Sequence, residues 1–297
     1  MSIGANGLPL QSNNPVPVRH YGWWALTAIL LALAVLIACS FATNRNFHWP
    51  VVALYLFNGQ ILRGVAWTLT ITVVSMVIAI VVAAILVFMR DSDNSVLRNL
   101  SWLWVWFFRG TPVYTQLVFW GLLTVLYPHL TLSLPGFGQI LDLRTKDLLT
   151  PGIAAIAGLA FNESAYLAEI FRAGFKAVDR GQTEAAEALG MLPLRVMFRV
   201  VIPQAMRMII PPTGNETIGM LKTTSLVLAV PFAYDLTFAA NTISNRLYMP
   251  IPLLVVSALW YLAITSILMC GQTYLEKHFG RGLDRMVDSD QTKDGPA

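Results

Sequence analysis

The sequence predicts an all-α polytopic membrane protein of about six transmembrane helices. Three observations carry this prediction. Of 297 residues, 56% are hydrophobic and only 12% charged, against roughly 25% charged in a soluble domain. Several apolar runs approach the about 20 residues needed to cross a bilayer. Lysines and arginines gather in the segments between alternate runs, as cytoplasmic loops do. These loops account for the formal charge of +4 and the pI near 9.2, so no nucleic-acid partner is indicated. Cys39 and Cys270 lie inside apolar runs, which gives no disulfide framework. His20, His48, His129 and His278 are scattered without metal-ligand spacing. No Ser-His-Asp grouping is apparent, so a membrane-embedded enzyme has almost no residues in its favour.

The elements follow in order. Residues 1–20 are rich in Gly, Pro, Asn and Ser and read as a disordered tail. Trp23 to Phe41 is the first span, anchored by Tyr21, Trp23 and Trp24. Leu36-Ile37-Ala38-Cys39 imitates a lipoprotein cleavage box, but the long polar leader and the further spans favour a retained helix. A short outer loop holds Asn44, Arg45 and His48. Ile61 to Met89 is the second span, closed by Arg90-Asp91-Ser92-Asp93. Ser95 to Phe108 carries Trp102, Trp104, Trp106, Phe107 and Phe108 between Arg98 and Arg109, a pattern expected of a helix lying in the headgroup region.

Thr111 to Pro128 is the third span, and residues 129–149, with Pro135, Gly136 and Gly138, read as a loop. Thr150-Pro151 is a helix start, with Thr as N-cap and Pro in the first turn, and opens a fourth span to about Phe171. The last span runs from about Pro250 to Cys270. Arg90, Arg98, Arg172, Lys176, Arg180, Arg195, Arg199, Lys277, Arg281 and Arg285 share the cytoplasmic side. Residues 206–245 must then cross once. Pro211, Pro212, Gly214, Gly219 and Pro231 interrupt them, which predicts irregular backbone lining a cavity.

Residues 180–205, RGQTEAAEALGMLPLRVMFRVVIPQA, are polar and cytoplasmic on this topology. Glu184 to Leu189 are good helix formers, Gly190 can serve as a C-cap, and Pro193 can open a second helix. In that helix Leu194, Met197, Phe198 and Val201 recur at i, i+3, i+4 and i+7. From the residues alone, the segment is either a loop docking on the membrane or a site for a partner.

Its spacing resembles a known pattern. Glu184-Ala185-Ala186, three residues, Gly190, nine residues and Val200-x-Ile202-Pro203 is similar to the EAA loop of ABC-importer membrane subunits, with Val200 and Ile202 as conservative departures. Arg109-Gly110-Thr111-Pro112 with Gln116 resembles a signature of the polar amino-acid uptake permeases within that family. So do Ala165-Tyr166 with Glu169, Arg172 and Gly174, Gly181-Gln182 before the triplet, Pro203-Gln204-Ala205 after it, and Asn215 with Leu221 to Leu226.

The resemblance covers about residues 60–272. It implies a five-helix type I importer core at 61–272, an extra N-terminal span and outer loop at 21–60, and a cytoplasmic tail at 273–297, with both termini inside. It implies a pore formed with a second permease subunit, identical or paralogous. It also implies two cytoplasmic ATPase subunits docking on 180–203 and an extracytoplasmic binding protein delivering an amino acid, all at a bacterial inner membrane. The coupling residues it marks are Gly181, Gln182, Glu184, Ala185, Ala186, Gly190 and Pro203. Arg109, Gly110, Thr111, Pro112, Gln116, Tyr166, Glu169 and Arg172 are structural or gating candidates, with Glu169 and Arg172 read as an interface pair.

Gly214-x-x-x-x-Gly219 begins like a phosphate-binding loop, but Met220 stands where Lys is required. ATP and Mg are therefore expected on the partner ATPases, with no cofactor and no metal in this chain.

Glu163 is about twelve residues into its helix, near the membrane midplane. A charge there costs at least about 2.5 kcal/mol unless paired. With Asn162, Asn215, Glu216, Lys222, Thr223, Thr224 and Ser225 it forms the candidate substrate path. Either Glu163 pairs structurally with Lys222 or remains neutral, or Glu163 or Glu216 meets a substrate ammonium. In the latter case Lys222, a hydroxyl or a half-helix N-terminus meets the substrate carboxylate. An ion-coupled secondary transporter would account equally for this polarity, but not for the EAA spacing.

Overall fold

The computed structural model describes residues 21–134 and 138–280. The expected N-terminal tail, the loop residues Pro135 and Gly136, and Arg281 and Arg285 lie outside the described residues. The chain divides into two compact units, the first ending at His48 and the second beginning at Trp49. In the first, α1 (Tyr21–Thr43) is a helix of 23 residues. Asn44 then caps a 3-10 turn at Arg45–Phe47 by accepting from the Asn46 N–H at 3.0 Å.

The second unit is built on α3 (Gly59–Arg90), which follows the short α2 (Trp49–Leu56), and on α7 (Pro151–Lys176). Asn58 caps α3 through the Gln60 N–H, and Thr150 caps α7 with Pro151 in the first turn, as its sequence predicts. These two helices form the largest helix–helix contact, where Ala79, Ala83, Ala154 and Ala155 are buried. Small side chains there let the two backbones approach closely. Around them pack α4 (Ser95–Gly110), α5 (Val113–Leu126), α10 (Ile202–Thr223) and α12 (Pro250–Gly280).

Among the described helices, α1, α3, α7 and α12 are each long and apolar enough to cross a membrane. At 14 residues, or about 21 Å, α5 is shorter than the roughly 30 Å hydrocarbon layer, so its crossing needs α4 as well. α4 also packs against the middle of α7. Trp104 donates to Ser164 Oγ at 3.0 Å, beside Glu163 in the middle of α7. The aromatic cluster expected to anchor in the headgroups therefore packs partly inward, against Phe161.

Three further expectations change. Residues 129–149 are no plain loop. They form an antiparallel hairpin, β1 (His129–Leu134) with β2 (Gly138–Arg144), and a short α6 (Thr145–Leu148). Pro211 and Pro212 do not break the chain, because α10 runs through both. The interruption comes later, in a 3-10 turn at Thr224–Ala229 and a loop holding Pro231, before α11 (Leu236–Leu247) begins at its cap Asp235.

Basic residues gather at one end of the unit. There the C-terminal part of α7 meets α10 at Gly174 and Ile209, and α12 meets α10 at Gln272 and Pro211. Arg172, Lys176 and Lys277 thus share an end with residues 180–203, in keeping with the positive-inside assignment.

Candidate translocation site and coupling segment

The helix pair α4–α5 is broken in the middle of the unit. Thr111 is extended and Pro112 supplies no N–H, so the last carbonyls of α4 lose their helical donors. Side-chain amides replace them. Asn162 donates to the Phe108 carbonyl at 2.9 Å and to Gln116 Oε1 at 3.2 Å. Gln116 donates to the Phe108 carbonyl at 3.0 Å, the Thr111 carbonyl at 3.1 Å and Thr111 Oγ1 at 2.7 Å. Gln116 is buried and bridges the end of α4 and the Thr111 linker.

Beside this break lies a cavity of about 500 Å³. Its walls include Arg109, Gly110, Thr111, Pro112, Asn162, Glu163, Tyr166, Glu216, Gly219, Met220 and Thr223. Glu163 is 8% exposed, and its Oε1 is buried without a hydrogen-bond partner. The charged group that acts on it is Glu216 on α10, and of the alternatives open for Glu163 the ion pair with Lys222 does not form. Lys222 is exposed and outside the cavity wall. The cation of the site is instead Arg109, whose guanidinium carbon lies 5.3 Å from the Tyr166 ring centre. Among the described residues Arg109 has no carboxylate within ion-pair distance. The N-terminus of α5 opens onto the same space through Val113.

Of the expected path residues, Asn162, Glu163, Glu216 and Thr223 converge here. Asn215 is exposed and lies off this wall. Thr224 is buried, donates to the Leu221 carbonyl at 2.6 Å and lies 3.4 Å from the Tyr261 hydroxyl. Ser225 belongs to a separate, mainly apolar cavity between α11 and α12. A second polar cavity of about 440 Å³ shares Arg109, Gly110 and Tyr166 with the first and extends to Arg90 and Glu169. Glu169 and Arg172 pair at 3.3 Å on one face of α7, in keeping with a structural pair.

The expected coupling residues form two helices and a bend. Asp179 caps α8 (Arg180–Ala188) by accepting from the Gly181 N–H at 2.6 Å. Gly190 stands at φ 78°, a left-handed conformation that glycine adopts without a Cβ penalty. Its N–H donates to the Glu187 carbonyl at 2.8 Å, and that of Met191 to Ala186 at 3.2 Å, a Schellman closure. Pro193 then opens α9 (Pro193–Val196), and a π-helical turn at Met197–Val201 leads into α10, with Pro203 in its first turn. Ala186 is buried against the chain, while Leu189, Leu192, Leu194 and Phe198 project outward at 85%, 65%, 75% and 67% exposure. Gln182, Glu184 and Ala185 are also exposed. Four large exposed apolar side chains around a polar helix are characteristic of a protein-binding surface.

A family model described as "Binding-protein-dependent transport system inner membrane component" matches residues 88–281. The chain belongs to this family. The permease is 48% identical to the arginine transport system permease protein ArgU of Corynebacterium glutamicum, over 93% of its own length and 85% of the relative's. It is 32% identical to the histidine/lysine/arginine/ornithine transport system permease protein HisM of Salmonella typhimurium, over 71% of its own length and 86% of the relative's.

Its structure is similar to a chain of an amino acid ABC transporter crystallised with histidines. The TM-score is 0.63 at 30% identity, covering 76% of the permease and 97% of that chain. The inward-facing MetNI methionine ABC transporter shares the fold, with a TM-score of 0.56 at 17% identity. The permease is thus a membrane-embedded subunit of an ABC importer for amino acids, and the secondary-transporter reading is not favoured. The family works with ATPase subunits and a substrate-binding protein.

Gln272, which contacts α10, and its hydrogen-bond partner Glu276 were not among the residues the sequence marked. The signal was present, because an amide and a carboxyl at i and i+4 stand at the end of an apolar span.

Proposed function

We propose that the permease imports a cationic amino acid of the arginine type across a bacterial inner membrane. The facing carboxyl groups of Glu163 and Glu216 carry this reading. Two neighbouring acidic side chains, from α7 and α10, suit a guanidinium or ammonium group. Arg109 and the N-terminus of α5 stand where an α-carboxylate could be met. The printed names of the relatives in Corynebacterium and Salmonella support the same class of substrate.

In this proposal two copies, or this chain and a paralogue, form the pore. Two ATPase subunits dock on residues 180–203 and bind the ATP and Mg, and the permease itself catalyses no reaction. Closure of the ATPases moves α8 and α9, and the motion passes through α10 to the cavity wall. A binding protein delivers substrate at the opposite end, where the hairpin and α11 lie.

The test is ATP-driven uptake of labelled arginine by the reconstituted complex carrying Glu163→Gln or Glu216→Gln. Each change keeps the shape and removes the charge, so uptake at low substrate should fall about ten- to a hundredfold, the loss of one charge-assisted hydrogen bond. Unchanged uptake and unchanged substrate-stimulated ATPase in both variants would remove the carboxyl pair from the substrate path.

A further inference from the structure

Gln272, on α12, meets α10 where that helix is weakest. Pro211 and Pro212 carry no N–H, so the carbonyls of Arg207 and Met208 four residues earlier have no intrahelical donor. The amide of Gln272 fills the space left by the bare Gly214, where an added Cβ would lie 1.9 Å from Gln272 Oε1. Gln272 Nε2 donates to the Pro211 carbonyl at 2.8 Å and to Glu276 Oε1 at 2.8 Å. Gln272 is 6% exposed, and its Oε1 is buried without a partner. Burying a half-satisfied amide costs stability that an apolar side chain would not. Packing alone therefore does not explain a glutamine here.

The two halves of α10 have different neighbours. Its first turns follow directly from the π-helical turn and the coupling segment, and Ile209 sits so close to α7 that a Cβ on Gly174 would lie 2.4 Å from its Cγ1. Beyond the prolines the helix carries Glu216 into the central cavity. The proline joint separates these halves, and Gln272 holds the joint from a different helix.

We propose that Gln272 is a pin at this joint, a positioning residue that converts displacement of residues 180–203 into displacement of Glu216. With the pin in place the cavity half of α10 turns about a fixed point when the coupling segment moves. Without it the joint absorbs the motion. The inference rests on the coupling role of residues 180–203 and is independent of whether Glu163 touches substrate.

The test uses the full reconstituted complex and reads amino acid imported per ATP hydrolysed, together with the KM for uptake. Gln272→Ala should lower that ratio about tenfold, the shift expected from one hydrogen bond, while KM is unchanged and ATP turnover persists. Gly214→Ala, which displaces the amide, should do the same. Glu276→Gln keeps an acceptor oxygen and should behave as wild type. The double variant Gly214→Ala with Gln272→Ala refills the space without restoring the hydrogen bond, and should stay uncoupled.

A wild-type ratio in Gln272→Ala overturns the proposal. So does recovery in the double variant, which would make Gln272 a space filler. Failure of both to assemble would make it a folding residue and overturn the proposal equally. If Gly190→Val leaves transport coupled to ATP, the coupling reading fails on its own evidence. The ratio counts imported molecules wherever they bind, so it stays readable if the Glu163 assignment fails.

Discussion

Glu163 and Glu216 belong to different helices but turn into one cavity, and Arg109 closes the same space from a third. The chemistry of the site follows from which of these groups has a protein partner. Glu163 has a buried oxygen without a hydrogen bond, whereas Asn162 beside it is fully engaged with the broken helix. Glu163 and the amides that hold the break should therefore respond differently to substitution. Gln116→Leu removes the amide whose two N–H groups serve the Phe108 carbonyl and Thr111, and leaves the Thr111 carbonyl without that donor. It should cost about 1–3 kcal/mol, read as a lower unfolding temperature of the purified permease and partly reversed by Gln116→Asn. Glu163→Gln should leave that temperature within about 0.5 kcal/mol of wild type and act on uptake instead. A Glu163→Gln protein that unfolds early would show that the carboxyl group stabilises the fold.

Local chemistry decided which elements could be read from the sequence. Thr150 with Pro151, and Gly190 with Pro193, are signals carried within a few residues, and all four do in the structure what their types predict. Pro211 and Pro212 misled, because α10 continues through both although the Arg207 and Met208 carbonyls lose their helical donors. Packing from other helices, such as Gln272 of α12 on the Pro211 carbonyl, leaves no trace in the local pattern. The break between α4 and α5, at Thr111-Pro112, was equally visible, but the tryptophans before it suggested a headgroup anchor. The hairpin was legible too, since Leu130, Leu132 and Leu134 alternate with Thr131 and Ser133. Gly190→Val should strain the bend by about 1–2 kcal/mol. Membrane insertion should be intact and ATP-driven uptake lost, read by membrane yield against uptake. Glu184→Lys should have the same effect by reversing a charge on the exposed face of α8. Coupled uptake in both would mean the segment is not the transmission surface.

For the whole molecule, the fold places a polar cavity between two differently built ends. One end holds the basic residues, α8 and α9. The other holds the β1–β2 hairpin and α11. With Cys39 and Cys270 replaced, a cysteine at Asp142 should be labelled by an impermeant reagent from outside. One at Glu184 should be labelled only after the inner face is opened, and bound ATPase should shield it. Labelling of both from one side would overturn the orientation.

The most direct test of the central claim is arginine uptake into proteoliposomes holding the permease, its ATPase and its binding protein. The account predicts accumulation that requires enclosed ATP and external binding protein, that Glu184→Lys abolishes, and that Glu163→Gln lowers about ten- to a hundredfold. Accumulation driven by an ion gradient with the ATPase omitted would contradict it.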